Sequence, residues 1–350
     1  MVKIAINGRF VVRRFGGQER YSYQILSGLD KLAKAGEFEL IVPQYAENIP
    51  EYRNINVIRC GNVKGHLWEQ ISYYNYLKKN KRTGFNTCIT CPILKPDITT
   101  LHDIGQLINA DSYQNIYGKL SRQWHKLMFL SAAKYSKLIF TVSEFSKKEI
   151  EKYLKVPAIR IVVTGNGWQH FKTVKEDTTF FDRHPELKKK EYFLSASSIT
   201  PQKNFKWVKQ AANNNPDAVF AIAGEKVHLT QVDGVKDPPN LFYLGYVTDS
   251  EMKTLMLYCK AFIHPAKYEG FGITPMEAMS VGAPIILSNA TCLPEVYGDT
   301  VRYIDPDNPN VDVDKLLQEK VGNSERVLNK YSWMKMAEIV YSSIKSSYDL

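Results

Sequence analysis

Cysteine is scarce. Five thiols stand in 350 residues, at positions 60, 88, 91, 259 and 292, which excludes a disulfide framework and fits reduced thiols. The one close pair, Cys88-Ile89-Thr90-Cys91, lacks a second pair to complete a zinc site. Pro92 follows it where a redox motif would open a helix, so both read as strand-end cysteines. No run of eighteen apolar residues occurs, which argues against a membrane span. The chain enters a strand at Lys3-Ile4-Ala5-Ile6-Asn7 without signal-peptide architecture, so a cytoplasmic protein is expected. G-x-G-x-x-G is missing, which disfavours a dinucleotide dehydrogenase. Zinc-finger spacing, an RNP-like motif and an arginine-rich arm are missing too, so no nucleic-acid partner is expected. Internal repeats and low-complexity segments are absent.

What is present is the composition of a soluble globular chain, 44% hydrophobic and 23% charged, long enough for about two domains. Its net charge of +10 is lopsided. Residues 1–165 carry 25 Lys/Arg against 13 Asp/Glu, whereas residues 166–350 carry 21 against 23. A basic first half suits an anionic acceptor or an anionic membrane surface met peripherally.

One stretch organises the rest: Tyr268-Glu269-Gly270-Phe271-Gly272-Ile273-Thr274-Pro275-Met276-Glu277. Ala261 to Pro265 before it reads as a short buried strand. Gly270 and Gly272 permit a loop that approaches a ligand closely. Thr274 is expected as N-cap with Pro275 at the first helical position, and the helix is expected to run to about Val281. A strand, a glycine loop and a helix start aim unpaired N–H groups into a crevice, which suits a phosphate. Two carboxylates, Glu269 and Glu277, would not hold a phosphate by charge but can accept hydrogen bonds from hydroxyls on either side of it. Glu277 also fits a capping box, Thr274-x-x-Glu277, and the two readings stand side by side. A diphosphate flanked by two hydroxyl-rich rings describes a nucleotide sugar.

Glu269-Gly270-Phe271-Gly272 followed by Glu277 resembles the E-G-F-G-x4-E signature of glycosyltransferase family 4, retaining enzymes of the GT-B fold. The resemblance implies two Rossmann-like domains facing across a cleft, with a C-terminal helix crossing back to the first. It implies that Glu269 contacts the donor sugar and Glu277 the ribose. Other segments match in order. Phe15-Gly16-Gly17 before a helix expected over Tyr21 to Ala35 is similar to the family's N-terminal loop beneath the donor diphosphate. His102-Asp103, after a strand over 97–101, matches the histidine that approaches the donor sugar. Ser143 caps the expected helix in a V-S-x-x-S segment. Lys203 falls in a P-x-K-N segment whose lysine neutralises the leaving diphosphate; the arginine often found five residues earlier is Ser198 here. Tyr246 and Val247 match a G-x-V segment near the base.

These readings divide the chain into an acceptor-side domain over 1–168, a donor-binding domain over 169–331 and a crossover helix over 332–350. Residues 168–190, polar and aperiodic, are the expected connection. The helix expected over 66–80 presents Leu67, Ile71, Tyr74 and Leu77 on one face, either to a core or to a bilayer interface. The expected activity is metal-independent, retaining transfer of a hexose or deoxyhexose from a nucleoside-diphosphate sugar to a saccharide acceptor. A lipid-linked acceptor in surface-polysaccharide (O-antigen or capsule) assembly fits the basic half. The catalytic residues are expected to be His102 and Glu269. The donor is expected on Gly16, Gly17, Lys203, Tyr246, Val247, Gly270, Phe271, Gly272, Ile273, Thr274 and Glu277. No D-x-D spacing is read as a metal site, and no cofactor is expected. The alternatives are an epimerase of the same fold, which would turn over donor without acceptor, and a non-catalytic basic binding protein.

Overall fold

A computed structural model describes residues 3–109, 116–188, 191–198, 200–224 and 237–348. The chain forms two compact units: Met1–Gly167 together with Ser332–Leu350, and Trp168–Tyr331.

The first unit is built on seven strands: β1 (Ile4–Asn7), β2 (Phe38–Val42), β3 (Ile55–Arg59), β4 (Thr83–Asn86), β5 (Ile98–Thr100), β6 (Leu138–Thr141) and β7 (Ile161–Val163). They lie in the order β3-β2-β1-β4-β5-β6-β7, and every pair is parallel. Strands covered on both faces are predominantly apolar, and β1, β2 and β6 are buried at every residue. The strand order reverses between β1 and β4, the kind of switch point at whose carboxyl ends open α/β sheets bind ligands.

The second unit repeats this logic with six strands: β8 (Tyr192–Ala196), β9 (Val219–Ala223), β10 (Leu241–Gly245), β11 (Ala261–His264), β12 (Ile285–Ser288) and β13 (Arg302–Ile304). Their order is β10-β9-β8-β11-β12-β13, again all parallel, with the reversal between β8 and β11. Both units are Rossmann-like.

Several local expectations change. The helix after Gly16 begins at Gly17, four residues before the expected start at Tyr21, and ends at Leu32. Asp97 is not strand: at φ 41° it turns the chain, and its carboxylate accepts from the Gly84 amide at 2.7 Å. In the 66–80 segment, Trp68, Tyr73 and Leu77 reach the core while Leu67 and Ile71 are exposed. The cause is a π-helical turn over Glu69–Tyr73, which inserts a residue and rotates the face set by the 3.6-residue period. Residues 168–188 are not an aperiodic connection. They carry short helices whose Phe171, Phe180, Phe181 and Leu187 are buried in the second unit; Lys189 and Lys190 lie outside the described residues.

The helix Trp333–Tyr348 packs on Gly17–Leu32 within the first unit, burying Trp333, Ala337, Val340 and Ile344. The contact needs a glycine: a Cβ at Gly28 would stand 2.3 Å from that of Ala337. Among the described residues, no helix is long and apolar enough to cross a membrane.

Candidate functional site

The second unit's switch point brings two loops together. The loop after β8 carries Lys203, and the loop after β11 carries Glu269. Asn204 joins them. It sits in the left-handed region at φ 58°, which asparagine tolerates, and its Nδ2 donates to the carbonyls of Pro265 (3.0 Å) and Pro306 (2.8 Å). The Lys267 amide donates back to the Gln202 carbonyl at 2.8 Å. Lys203 is thereby held beside Glu269.

Glu269 is the centre of charge. Its Oε1 accepts from Lys203 Nζ and from His264 Nε2, the latter at 2.6 Å. An ionised carboxylate only accepts, so the Nε2 of His264 carries its proton. Burial would raise the Glu269 carboxyl, but the Lys203 ammonium and the His264 hydrogen bond outweigh it and hold the group at about 2. Both partners converge on Oε1. Among the described residues Oε2 takes no partner, and the side chain keeps 13% of its exposure.

The glycine loop behaves as its composition dictates. Gly272 lies at φ 85°, and a Cβ there would be strained and 2.9 Å from Leu293. Gly272 is itself the N-cap, with no side-chain cap bond, and the helix runs Ile273–Ser280. This corrects the expected start: Thr274 is the second helical residue, not the cap, and Pro275 the third. The Gly272 carbonyl accepts from the Tyr297 hydroxyl at 2.6 Å, and Phe271 packs edge-on to Tyr331. The first-turn N–H groups that follow have no carbonyl within their own helix.

Glu277 does not close a capping box on Thr274. Its Oε1 lies 2.8 Å from His170 Nε2, and both side chains are at least nine-tenths buried. His170 and His264 were not among the residues singled out in the sequence. His264 had a signal, as the last residue of a buried strand five positions before Glu269. His170 had none, because it sits in the stretch that looked aperiodic. Tyr246 is exposed and Val247 half-buried beyond β10, and Ser198 is exposed. The Thr248–Glu251 capping box expected just after them is formed.

Two D-x-D spacings are committed locally. Asp305 Oδ1 accepts from the Asp307 amide and Asp307 pairs with Lys267, while Asp312 caps the helix Val313–Leu317.

In the first unit, His102 follows β5 and is buried. Its Nε2 lies 3.0 Å from the Thr87 carbonyl, and Tyr21 packs edge-on at 4.7 Å. The carbonyl can only accept, so Nε2 donates and the neutral ring presents an unprotonated Nδ1. Burial, reinforced by the Arg13 charge against the Thr87 bond, lowers His102 to about 4. Asp103 turns away to accept from the Gly105 amide at 2.8 Å. Gly16 caps the Gly17–Leu32 helix with extended backbone, and Gly17 is exposed with open space where a Cβ would be. Ser143 caps its helix through the Ser146 amide. Burial pushes the Cys88 thiol up to about 11 and Cys91 higher still, so both are inert packing groups.

Residues 176–330 match the family model described as glycosyl transferases group 1. The chain is 29% identical over 253 residues to O-antigen chain mannosyltransferase B of Escherichia coli, covering 67% of this chain and 63% of that relative's length. It is 24% identical over 283 residues to O-antigen chain mannosyltransferase RfbU of Salmonella typhimurium, covering 78% and 74%. Among solved structures it superposes on HepE of Anabaena in complex with UDP-glucose at a TM-score of 0.71. That match has 13% identity and covers 99% of this chain and 100% of that one, a likeness of fold.

Proposed function

We propose that this chain is a glycosyltransferase family 4-like enzyme of the GT-B fold and that it transfers a hexose or deoxyhexose from a nucleoside-diphosphate sugar to a saccharide acceptor with retention of configuration. The observation that carries the reading is Glu269. It is ionised, anchored through one oxygen, and left with the other oxygen available beside a glycine loop and a helix start. A sugar hydroxyl is the group such an oxygen accepts from, and first-turn amides are the donors a diphosphate takes.

The roles follow from the chemistry. Glu269 orients the donor sugar, and Glu277, steadied by His170, takes the ribose. Lys203 and the amides of Gly270 to Thr274 stabilise the departing diphosphate as its charge develops. Phe271 braces the loop from behind, and Tyr246 and Val247 border the base. Gly16 and Gly17 leave backbone accessible to the diphosphate. His102 serves the reaction as a neutral imidazole. We propose departure and attack on one face of the sugar, without a metal. The relatives' names support mannose as the first sugar to test and O-antigen assembly as the setting. The basic first half supports a lipid-linked acceptor at an anionic membrane.

The test is a thermal-shift panel with UDP, GDP and dTDP. A nucleotide at a hundred times its dissociation constant adds about 2.7 kcal/mol of stability. A shift with one nucleotide that is lost in Glu277→Ala supports the site; no shift with any of them refutes it. Transfer abolished by a chelator and restored by magnesium would overturn the metal-independent part.

A further inference from the structure

The helix Ile116–Tyr135 in the first unit has a face that the core does not use. Met128, Phe129 and Ala132 are buried. On the other side Ile116, Leu120, Leu127 and Leu130 recur at helical intervals, each between 43% and 76% exposed. A soluble surface helix ordinarily places charge there. The patch continues onto its neighbours. Trp124 donates to His66 at 3.1 Å, setting exposed Leu67 alongside. Ser131 donates to the Ile93 carbonyl at 2.6 Å, bringing exposed Leu94 to the same region.

Charge selects the occupant. No Asp or Glu occurs between 116 and 143, while Lys119, Lys126 and Lys134 flank the apolar stripe and are exposed. A second copy would set these lysines against their equivalents. An anionic bilayer attracts them and receives the aliphatic side chains. Twenty residues with four cations do not span a membrane but lie in its plane.

We propose that the 116–135 helix docks the first unit on an anionic lipid bilayer, with Ile116, Leu120, Leu127 and Leu130 inserted and Lys119, Lys126 and Lys134 on the headgroups. This rests on the reading of a lipid-linked acceptor only for why a membrane is the partner.

The intact protein, without nucleotide, is sedimented with phosphatidylcholine vesicles with and without phosphatidylglycerol, at low salt. Binding that needs phosphatidylglycerol and falls at least about tenfold in Leu120→Asp/Leu127→Asp and in Lys119→Glu/Lys126→Glu supports the proposal. Both doubles alter exposed positions, and each should keep the wild-type thermal shift with nucleotide. Wild-type protein that ignores phosphatidylglycerol, or variants that bind as well as wild type, overturns it. So does a dimer in sedimentation equilibrium that Leu120→Asp/Leu127→Asp dissociates, since a second copy would then cover the stripe. A missing nucleotide shift with lipid binding intact would sink the donor site and leave this surface standing.

Discussion

Each unit holds a buried glutamate facing cations near its switch point, and the two are treated differently. Glu69 in the first unit is 1% exposed, with both oxygens enclosed. Oε1 accepts from Asn7 (2.9 Å) and Thr90 (2.7 Å), and Oε2 lies 3.1 Å from Arg9 Nε. Burial pushes its carboxyl up, but His66, Arg9 and the two neutral donors together bring it below the ordinary value. Glu269 in the second unit concentrates its partners on one oxygen and keeps the other. Similar residue types at a similar place in the fold thus give a brace in one unit and a half-satisfied acceptor in the other. Access to the second oxygen, not ionisation, separates scaffold from site.

Substitution is the hardest test of that contrast. Glu69→Ala leaves Arg9 buried without its counter-ion and should cost about 3–5 kcal/mol in denaturant unfolding. Glu269→Gln keeps the shape but gives up the charge that Lys203 and His264 stabilise, so it should cost about 3 kcal/mol or less, while kcat for transfer falls roughly 10²–10³-fold. Transfer that survives Glu269→Gln undiminished would erase the distinction.

A second contrast is between Glu269, held charged, and His102, held neutral. His102 falls from the ordinary 6.5 to about 4. The unfolded chain therefore takes this proton first as pH drops. Its contribution is complete above pH 6.5 and is lost between 6.5 and about 4, roughly 3 kcal/mol in all. His102→Gln should flatten that part of a stability–pH curve. Glu269 acts lower, in the window from its ordinary 4.5 down to about 2. A slope between pH 6.5 and 4 that survives His102→Gln would contradict the assignment.

The smallest effect concerns backbone. Gly272→Ala must hold φ 85° and push Leu293, which should cost about 1–2 kcal/mol and raise KM for the donor. A donor KM that did not move would separate this loop from the donor.

Much of this was legible in the sequence, for identifiable reasons. Parallel strands buried on both faces leave continuous apolar runs, so β1, β2 and β8 could be read nearly to the residue. Thr248 and Ser143 announced their helices by cap chemistry. The glycine loop, Lys203 and Glu269 were visible because loop geometry and charge leave fixed spacings. What stayed hidden depends on long-range contact. Asn204 bonds carbonyls 61 and 102 residues away. His170 meets Glu277 across 107 residues. The π-turn that opens at Glu69 accompanies that residue's burial among Arg9, Asn7 and Thr90, which no local period reports.

The fit of Gly28 against Ala337 carries a consequence for how the molecule is made. The last layer of the first unit is encoded downstream of residues 168–331, so on the ribosome the surface of Gly17–Leu32 waits uncovered until that whole insert has been translated. A nascent chain stalled before residue 332 holds an unfinished first unit and a second unit with all its strands.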